Sequence, residues 1–244
     1  MASVAEHLVH QLEGAGVRHI YGIVGDSLNP VVDAVRRSKK IRWIHVRHEE
    51  TAAFAAAAEA EITGQLAVCA GSCGPGNLHL INGLYDANRS HLPVLAIASH
   101  IPTSQIGTGF FQETHPDRIF DECSVFSEMI SSSEQVPRVT RSAIQQALSN
   151  HGVAVLTLPG DIADMEVSGN LPDTITSPRP ARVVPNMEDV QGLADAINRA
   201  GKVTLFVGAG ARGAHDPIME LAELAKAPVG PVSYTHLTLP TILL

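Results

Sequence analysis

The chain has 244 residues, of which 45% are hydrophobic and 17% charged, and its formal net charge is −8. This composition is typical of a soluble globular protein that is long enough for one complete α/β domain and part of another. The acidic balance, with no basic cluster longer than residues 36–40, argues against a nucleic-acid groove or an anionic membrane surface as the partner.

Neither the N-terminus nor the cysteines indicate secretion. The first 16 residues carry acidic and polar side chains where a signal peptide needs a basic head and an apolar core, so they predict a helix of the mature protein. No apolar run approaches the roughly 20 residues of a membrane span. Cys69, Cys73 and Cys123 are odd in number and lack zinc spacing, which favours reduced thiols. We therefore expect a cytoplasmic protein.

Hydrophobic periodicity predicts alternating helices and strands as far as Pro159. The predicted helices are 4–12, one capped by Asp26 and Ser27 with Pro30 in its first turn, 49–62, 80–90 and 136–149. The predicted strands are 18–25, 41–48, 66–71, 91–99, 124–131 and 152–161. Continuous apolar strands separated by helices indicate a doubly wound α/β fold, in which a parallel sheet is covered on both faces.

Three polar turns follow consecutive predicted strands. They are IVGDSLNP (23–30), VRHEE (46–50) and AGSCGPGNLH (70–79). In open parallel sheets, ligands bind beyond the carboxyl ends of the strands. The sequence therefore predicts that these three turns share one rim of the sheet and form a binding site there.

The acidic pair Glu49 and Glu50 opens a segment, 46–64, that is so rich in alanine that it looks buried. One interpretation is structural, because negative charge in a first helical turn complements the free backbone N–H groups. The other is that one carboxylate is held inside the protein as a functional acid. His45, His48 and Glu49 also invite comparison with a metal site, but they straddle a strand end and lack a third ligand nearby, so we predict no metal there.

A second α/β unit is predicted after a proline-rich linker at 169–186. Its elements are a helix at 188–199, a strand at 202–207 and a helix at 215–227. The turn GAGARG (208–213) has the spacing of a dinucleotide-binding loop, yet we interpret it as a plain strand-to-helix turn. Residues 232–244 match neither this pattern nor a natural domain end, and we expect them to be a non-native tail.

Taken together, the motifs resemble those of thiamine-diphosphate-dependent enzymes, and among them the pyruvate oxidases and quinone-dependent pyruvate dehydrogenases. The resemblance covers about residues 4–230, and it rests on blocks that follow one another in the family's order. These blocks are GVRHIYGIVGDSLNP, VRHEETAAFAAAAEAEITG, LAVCAGSCGPGNLHLINGLYDA, HLPVLAIASHIP, GTGFFQETHP and GVAVLTLPGD.

This resemblance implies that residues 1–168 are the pyrimidine-binding domain and that 187–231 begin a central, flavin-binding domain of Rossmann-like fold. A third domain, which would hold Mg²⁺ and the diphosphate, has no counterpart in this chain. Glu49 would form a hydrogen bond with the N1′ atom of the cofactor's aminopyrimidine ring. The other implied site residues are Val24, Gly25, Pro75 and Gly76 around that ring, and Phe111 and Gln112 facing the substrate.

The implied reaction is the oxidative decarboxylation of pyruvate or a similar 2-keto acid, with FAD taking up the electrons. A quinone acceptor would give acetate, and oxygen would give acetyl phosphate. The resemblance also implies a homodimer or tetramer and peripheral membrane contact through an extreme C-terminus that this chain lacks. Two alternatives remain: a non-oxidative enzyme similar to acetolactate synthase, and a non-catalytic chain that only dimerises.

Overall fold

The computed structural model describes residues 2–167, 183–211 and 213–232. Its contacts divide the chain into two units, residues 1–181 and 182–244. The predicted linker lies outside the described residues except for 183–186, and the predicted tail lies outside them except for Val232. Within the described ranges, no helix is both long enough and apolar enough to cross a membrane.

The first unit alternates strands and helices along the chain. Its helices are α1 (Val4–Gly14), α2 (Asn29–Ser38), α3 (Glu49–Thr63), α4 (Pro75–Arg89), α5 (Pro116–Ile119), α6 (Val136–Asn150) and α7 (Gly160–Asp164). Its strands are β1 (His19–Gly22), β2 (Arg42–His45), β3 (Ala67–Gly71), β4 (Val94–His100), β5 (Phe126–Met129) and β6 (Val153–Pro159).

The six strands form one parallel sheet in the order β2-β1-β3-β4-β6-β5. Strands β3, β4 and β6 are buried along their whole length, which is why they are mostly apolar instead of alternating; the buried polar exceptions are Ser99, His100 and Thr157. Side chains of α1, α2 and α6 pack in one core cluster, and those of α3 and α4 pack in the other. The predicted doubly wound α/β fold is confirmed.

The alanines of α3 are explained by how closely this helix packs on α4. Ala52, Ala53, Ala56 and Ala60 are buried in the second core cluster. On the facing helix, a Cβ atom built on Gly83 would lie 2.5 Å from the Cβ of Ala53. Small side chains on both helices therefore set the distance between them, and this contact holds the first turn of α3 beside that of α4.

Two predicted helix starts were wrong. Helix α4 begins at Pro75, five residues before the predicted start, because a proline is well accommodated in the first turn of a helix. Helix α2 begins at Asn29, and neither Asp26 nor Ser27 caps it. These two residues belong to a short 3-10 turn instead, and the Ser27 hydroxyl is occupied by other partners.

The second unit starts as an α/β structure too. It contains α8 (Met187–Arg199), β7 (Leu205–Val207), α9 (His215–Ala225) and β8 (Val229–Pro231). Strands β7 and β8 pair in parallel, and α9 connects them. The predicted strand at 202–207 is shorter than expected, because only its last three residues enter the ladder.

Replacing Gly83 with alanine tests the α3–α4 packing. Alanine normally stabilises a helix interior relative to glycine, but here the added methyl group overlaps Ala53, so we expect Gly83→Ala to reduce the free energy of unfolding by about 1–3 kcal/mol. Chemical denaturation followed by circular dichroism measures the effect.

The control is Gly192→Ala in α8, where a Cβ meets no atom within 4 Å. We expect that substitution to leave the unfolding of the first unit unchanged and to stabilise its own helix by roughly 0.5–1 kcal/mol. If Gly83→Ala is as stable as the parent chain, the close contact does not limit the approach of the two helices.

Candidate functional site

A pocket lies at the carboxyl end of the sheet, where the chain changes direction. From β1 the chain proceeds outward to β2 and then returns to the other side of β1 to form β3. The chain therefore leaves β1 and β3 toward opposite faces of the sheet. Such switch points form ligand crevices in doubly wound folds. The pocket has a volume of about 360 Å³ and is lined by Val24, Gly25, Asp26, Glu49, Ser72, Cys73, Pro75, Gly76, His79 and Gln112.

Glu49 contributes the buried carboxylate of this pocket. It is the first residue of α3, its residue exposure is 8%, and the N–H groups of the first helical turn favour its negative charge. Its Oε2 atom lies 3.0 Å from Nδ1 of His79. A Cβ atom on Gly76 would lie 3.3 Å from Oε1, so a larger residue at that position would crowd the carboxylate.

Glycines allow close backbone approaches in the turns after β1 and β3. A Cβ atom on Gly25 would lie 2.4 Å from Oγ of Ser72, and one on Gly71 would lie 2.4 Å from the carbonyl oxygen of Gly76. Neither overlap can be relieved without moving one of the turns. Gly25 thus allows the turn after β1 to approach the turn after β3, and Gly71 allows the turn after β3 to fold closely on itself.

A buried network of hydroxyl groups joins the same turns from below. Ser27 Oγ is hydrogen-bonded to the hydroxyl groups of Ser72, at 3.0 Å, and Ser99, and it accepts from the backbone N–H of Cys73 at 3.1 Å. The amide of Asn77 donates to the carbonyl of Ser99 at 2.6 Å. This network ties the turns after β1 and β3 to the end of β4.

Most of the predicted site residues meet in this one pocket. Val24, Gly25, Glu49, Pro75, Gly76 and Gln112 all line it. Phe111 does not; it lies at a neighbouring pocket of about 770 Å³, and 78% of its surface is exposed. Asp26, Cys73 and Gln112 line both pockets, so the two pockets are adjacent and share these residues.

Four lining residues lie in the predicted turns but were not predicted as individual site residues: Asp26, which was expected only to cap a helix, Ser72, Cys73 and His79. For His79 a signal was present, because it follows Gly76 by three residues on a helix and therefore lies on the same face. That signal was hidden by the late start predicted for α4. Once α4 begins at Pro75, His79 falls one turn into the helix and faces α3.

Glu113 organises the loop that brings Phe111 and Gln112 to the two pockets. Its carboxylate accepts from the backbone N–H groups of Gly107, Gly109 and Phe110. These bonds, that from Gly107 above all, hold the pKa of Glu113 below its usual value. The loop then reaches the pocket because Gly74 (φ 69°) leaves room for Gln112, whose Cβ is 2.7 Å from where a Gly74 Cβ would be.

The structure supplies the third donor that the metal hypothesis lacked in the sequence. Donor atoms of His48, Glu49 and His79 lie within 4.8 Å of one another, whereas His45 is not part of this cluster. The rings of His48 and His79 are stacked, with centroids 4.3 Å apart and planes inclined by 26°. Nearly parallel rings direct their in-plane lone pairs along similar lines, and this works against both binding one ion.

A doubly wound sheet with a polar pocket and a buried carboxylate at its switch point has the arrangement of a ligand-binding α/β domain. Comparison with known proteins identifies its kind. Residues 2–119 match the family model described as "Thiamine pyrophosphate enzyme, N-terminal TPP binding domain". The first unit of this chain thus contains an N-terminal domain of the thiamine-diphosphate-dependent enzyme family.

Three similar proteins illustrate the range of relatives. An uncharacterised 42.6 kDa protein of Pseudomonas amyloderamosa is 56% identical over 227 residues, which cover 93% of this chain and 57% of that protein. Pyruvate oxidase of Lactiplantibacillus plantarum is 35% identical, with 91% of this chain and 37% of that protein covered. Acetolactate synthase of Mycobacterium bovis is also 35% identical, with 92% and 37% covered. The chain thus spans little more than half of the first relative and less than half of the others.

Substituting Glu113 tests how the loop 107–113 is held. A glutamine retains one acceptor oxygen but places an amide against the N–H donors, so we expect Glu113→Gln to speed amide hydrogen exchange at Gly107, Gly109 and Phe110 by roughly tenfold. NMR-detected exchange measures this directly. Glu122→Gln is the control, because Glu122 accepts from Tyr85 elsewhere.

The same contact predicts a dependence on pH. Because the folded-state pKa of Glu113 is lowered, its stabilising contribution is complete above the pKa of the unfolded chain and is lost as pH falls through the folded value. Protection of the three amides against hydrogen exchange should therefore decrease as the pH is lowered in the parent chain. In Glu113→Gln we expect no such decrease. An identical acid step in both proteins would contradict this assignment.

Proposed function

We propose that the pocket beside Glu49 holds the aminopyrimidine ring of thiamine diphosphate. The observation that carries the proposal is the Glu49 carboxylate, which is buried at a helix start. It lines a pocket in which most of the other residues are small. The half-exposed side chain of Val24 offers an apolar surface for one face of a flat ring. Gly25 and Gly76 leave space that any Cβ atom would fill. These residues suit the cofactor.

In this arrangement Glu49 would exchange a proton with the ring nitrogen N1′ of the bound cofactor. When bound, the cofactor supplies a C2 carbon that adds to the keto carbon of the substrate. Pro75 and Gly76 border the ring at the start of α4. Gln112 lines both pockets, and in this proposal its amide provides a polar group for a substrate in the larger one.

We further propose that the chain is the N-terminal part of an enzyme that oxidatively decarboxylates pyruvate with thiamine diphosphate and FAD. The GFFQETHP and SCGPGNLHLINGLYDA blocks support this assignment. In this proposal residues 1–168 form the pyrimidine-binding domain, and 187–231 begin the flavin-binding domain. Mg²⁺ and most of the FAD are bound by regions outside this chain, electrons pass to a quinone or oxygen, and the protein is a homodimer or tetramer.

Acetolactate synthase activity is the second candidate. It is favoured by a specific observation: the M. bovis acetolactate synthase and the L. plantarum pyruvate oxidase are equally identical to this chain over 230 residues. Both candidates use the same proposed role of Glu49, so they differ only in what happens after a 2-keto acid has reacted.

The pyrimidine site is tested by substituting each member of the acidic pair. The probe is 4-amino-2,5-dimethylpyrimidine, which represents the ring alone, with binding to this chain followed by NMR titration. We expect Glu49→Gln to weaken binding by roughly tenfold or more, because it removes a charge-assisted hydrogen bond. Glu50→Gln is the matched control, since Glu50 bonds Asn82 and does not line the pocket. Equal losses in both variants would argue against the site.

The reaction is tested in a longer protein that continues this chain through domains like those of its relatives. With pyruvate, thiamine diphosphate and Mg²⁺ supplied, the oxidase proposal expects reduction of an artificial electron acceptor in step with release of carbon dioxide. Formation of acetolactate without acceptor reduction would establish the second candidate. Glu49→Gln should reduce either activity at least about a hundredfold, as expected for loss of an essential proton-transfer group.

A further inference from the structure

Glu49 has two carboxylate oxygens, and the structure gives them different surroundings. Oε2 lies 3.0 Å from Nδ1 of His79. Oε1 is the oxygen next to Gly76, which lines the pocket as well. A carboxylate at the start of a helix can otherwise turn toward the free N–H groups of its own first turn or toward solvent. Something must therefore hold Glu49 in the orientation that directs one oxygen into the pocket.

We propose that His79 is a positioning residue that holds Glu49 through an Nδ1–H···Oε2 hydrogen bond and thereby directs Oε1 to the ring nitrogen. This inference rests on the proposed function. His79 reaches Glu49 because it lies one turn into α4, and the close packing of α4 on α3 brings the two helix starts together. A carboxylate only accepts hydrogen bonds, so the proton of the neutral imidazole must be on Nδ1.

The His79 ring is itself held in place by His48. The two rings stack with centroids 4.3 Å apart, and His48 is the N-cap residue of α3. Nδ1 of His48 accepts from the backbone N–H of Glu50 at 3.3 Å, which fixes the ring of His48 against the helix. The stacked pair therefore links the cap of α3 to the side chain that holds Glu49.

The contact between His79 and Glu49 should also determine the tautomer of His79. The side chain of His79 is 43% exposed, whereas that of Glu49 is 11% exposed. A histidine with this exposure, free of other constraints, would favour the Nε2–H tautomer. The hydrogen bond to Glu49 reverses that preference. The tautomer of His79 therefore shows whether this hydrogen bond is present.

The experiment compares the parent chain with His79→Leu and His79→Asn. Leucine is similar in size and has no donor, whereas the asparagine amide places an N–H near the position of Nδ1. One measurement is the tautomer of His79, read from the ¹⁵N shifts of its ring nitrogens, with the signal assigned by its loss in both variants. The other is the affinity for 4-amino-2,5-dimethylpyrimidine, measured by NMR titration alongside thermal unfolding of each variant.

We expect the proton of His79 on Nδ1 in the parent chain and a shift toward Nε2 in Glu49→Gln. We expect affinity for the pyrimidine to fall roughly tenfold in His79→Leu and to return to within about threefold of the parent in His79→Asn. Recovery by asparagine distinguishes positioning from a general packing role, because the amide restores the donor but not the ring stack on His48.

An Nε2–H tautomer in the parent chain would overturn the inference, and so would equal affinity of the parent and His79→Leu. An equal loss in the leucine and asparagine variants would overturn it as well, because the donor would then be irrelevant. Failure of the parent chain to bind the pyrimidine would instead refute the proposed function. In that case the ¹⁵N shifts of the His79 ring nitrogens would still show whether His79 forms the hydrogen bond to Glu49.

Discussion

The structure of the site depends on one constraint, the close approach of the turns that follow β1 and β3. Gly25 allows this approach, since a Cβ atom there would overlap Ser72 of the opposite turn. The hydroxyl of Ser27 then joins the turns through hydrogen bonds. Because the strand order reverses at this point, the crevice between the turns opens toward solvent and forms the pocket.

A buried carboxylate is tolerated here because several features of the fold act together. Glu49 starts α3, where free N–H groups of the backbone favour negative charge. His79 contacts one of its oxygens from the neighbouring helix. The alanines of α3 and Gly83 of α4 allow the helices to pack closely enough for that contact. Helix packing and site chemistry are therefore coupled. A substitution at the contact between α3 and α4 would also change the position of the Glu49 carboxylate.

The fold of the first unit supports the proposed binding of a cofactor ring more directly than the proposed reaction. Related chains named pyruvate oxidase and acetolactate synthase match this one to the same degree. Domains of one fold support several chemistries, because the groups that determine the outcome lie in the site and differ between proteins. The loop at 107–113, which Glu113 holds beside the pocket, carries Gln112, the residue that we propose to face the substrate.

Strong local signals allowed the parallel sheet, the order of its elements and the gathering of three turns at one rim to be predicted from the sequence alone. Apolar strands such as 153–159, and the glycines and prolines between elements, carry that information without tertiary contacts. The hydrogen bonds of Ser27 and the contact between His79 and Glu49 were decided only by the tertiary structure. Each depends on residues distant in the chain, such as His79 and Glu49, which pair across 30 positions. No local pattern records a contact that is created by the packing of two helices.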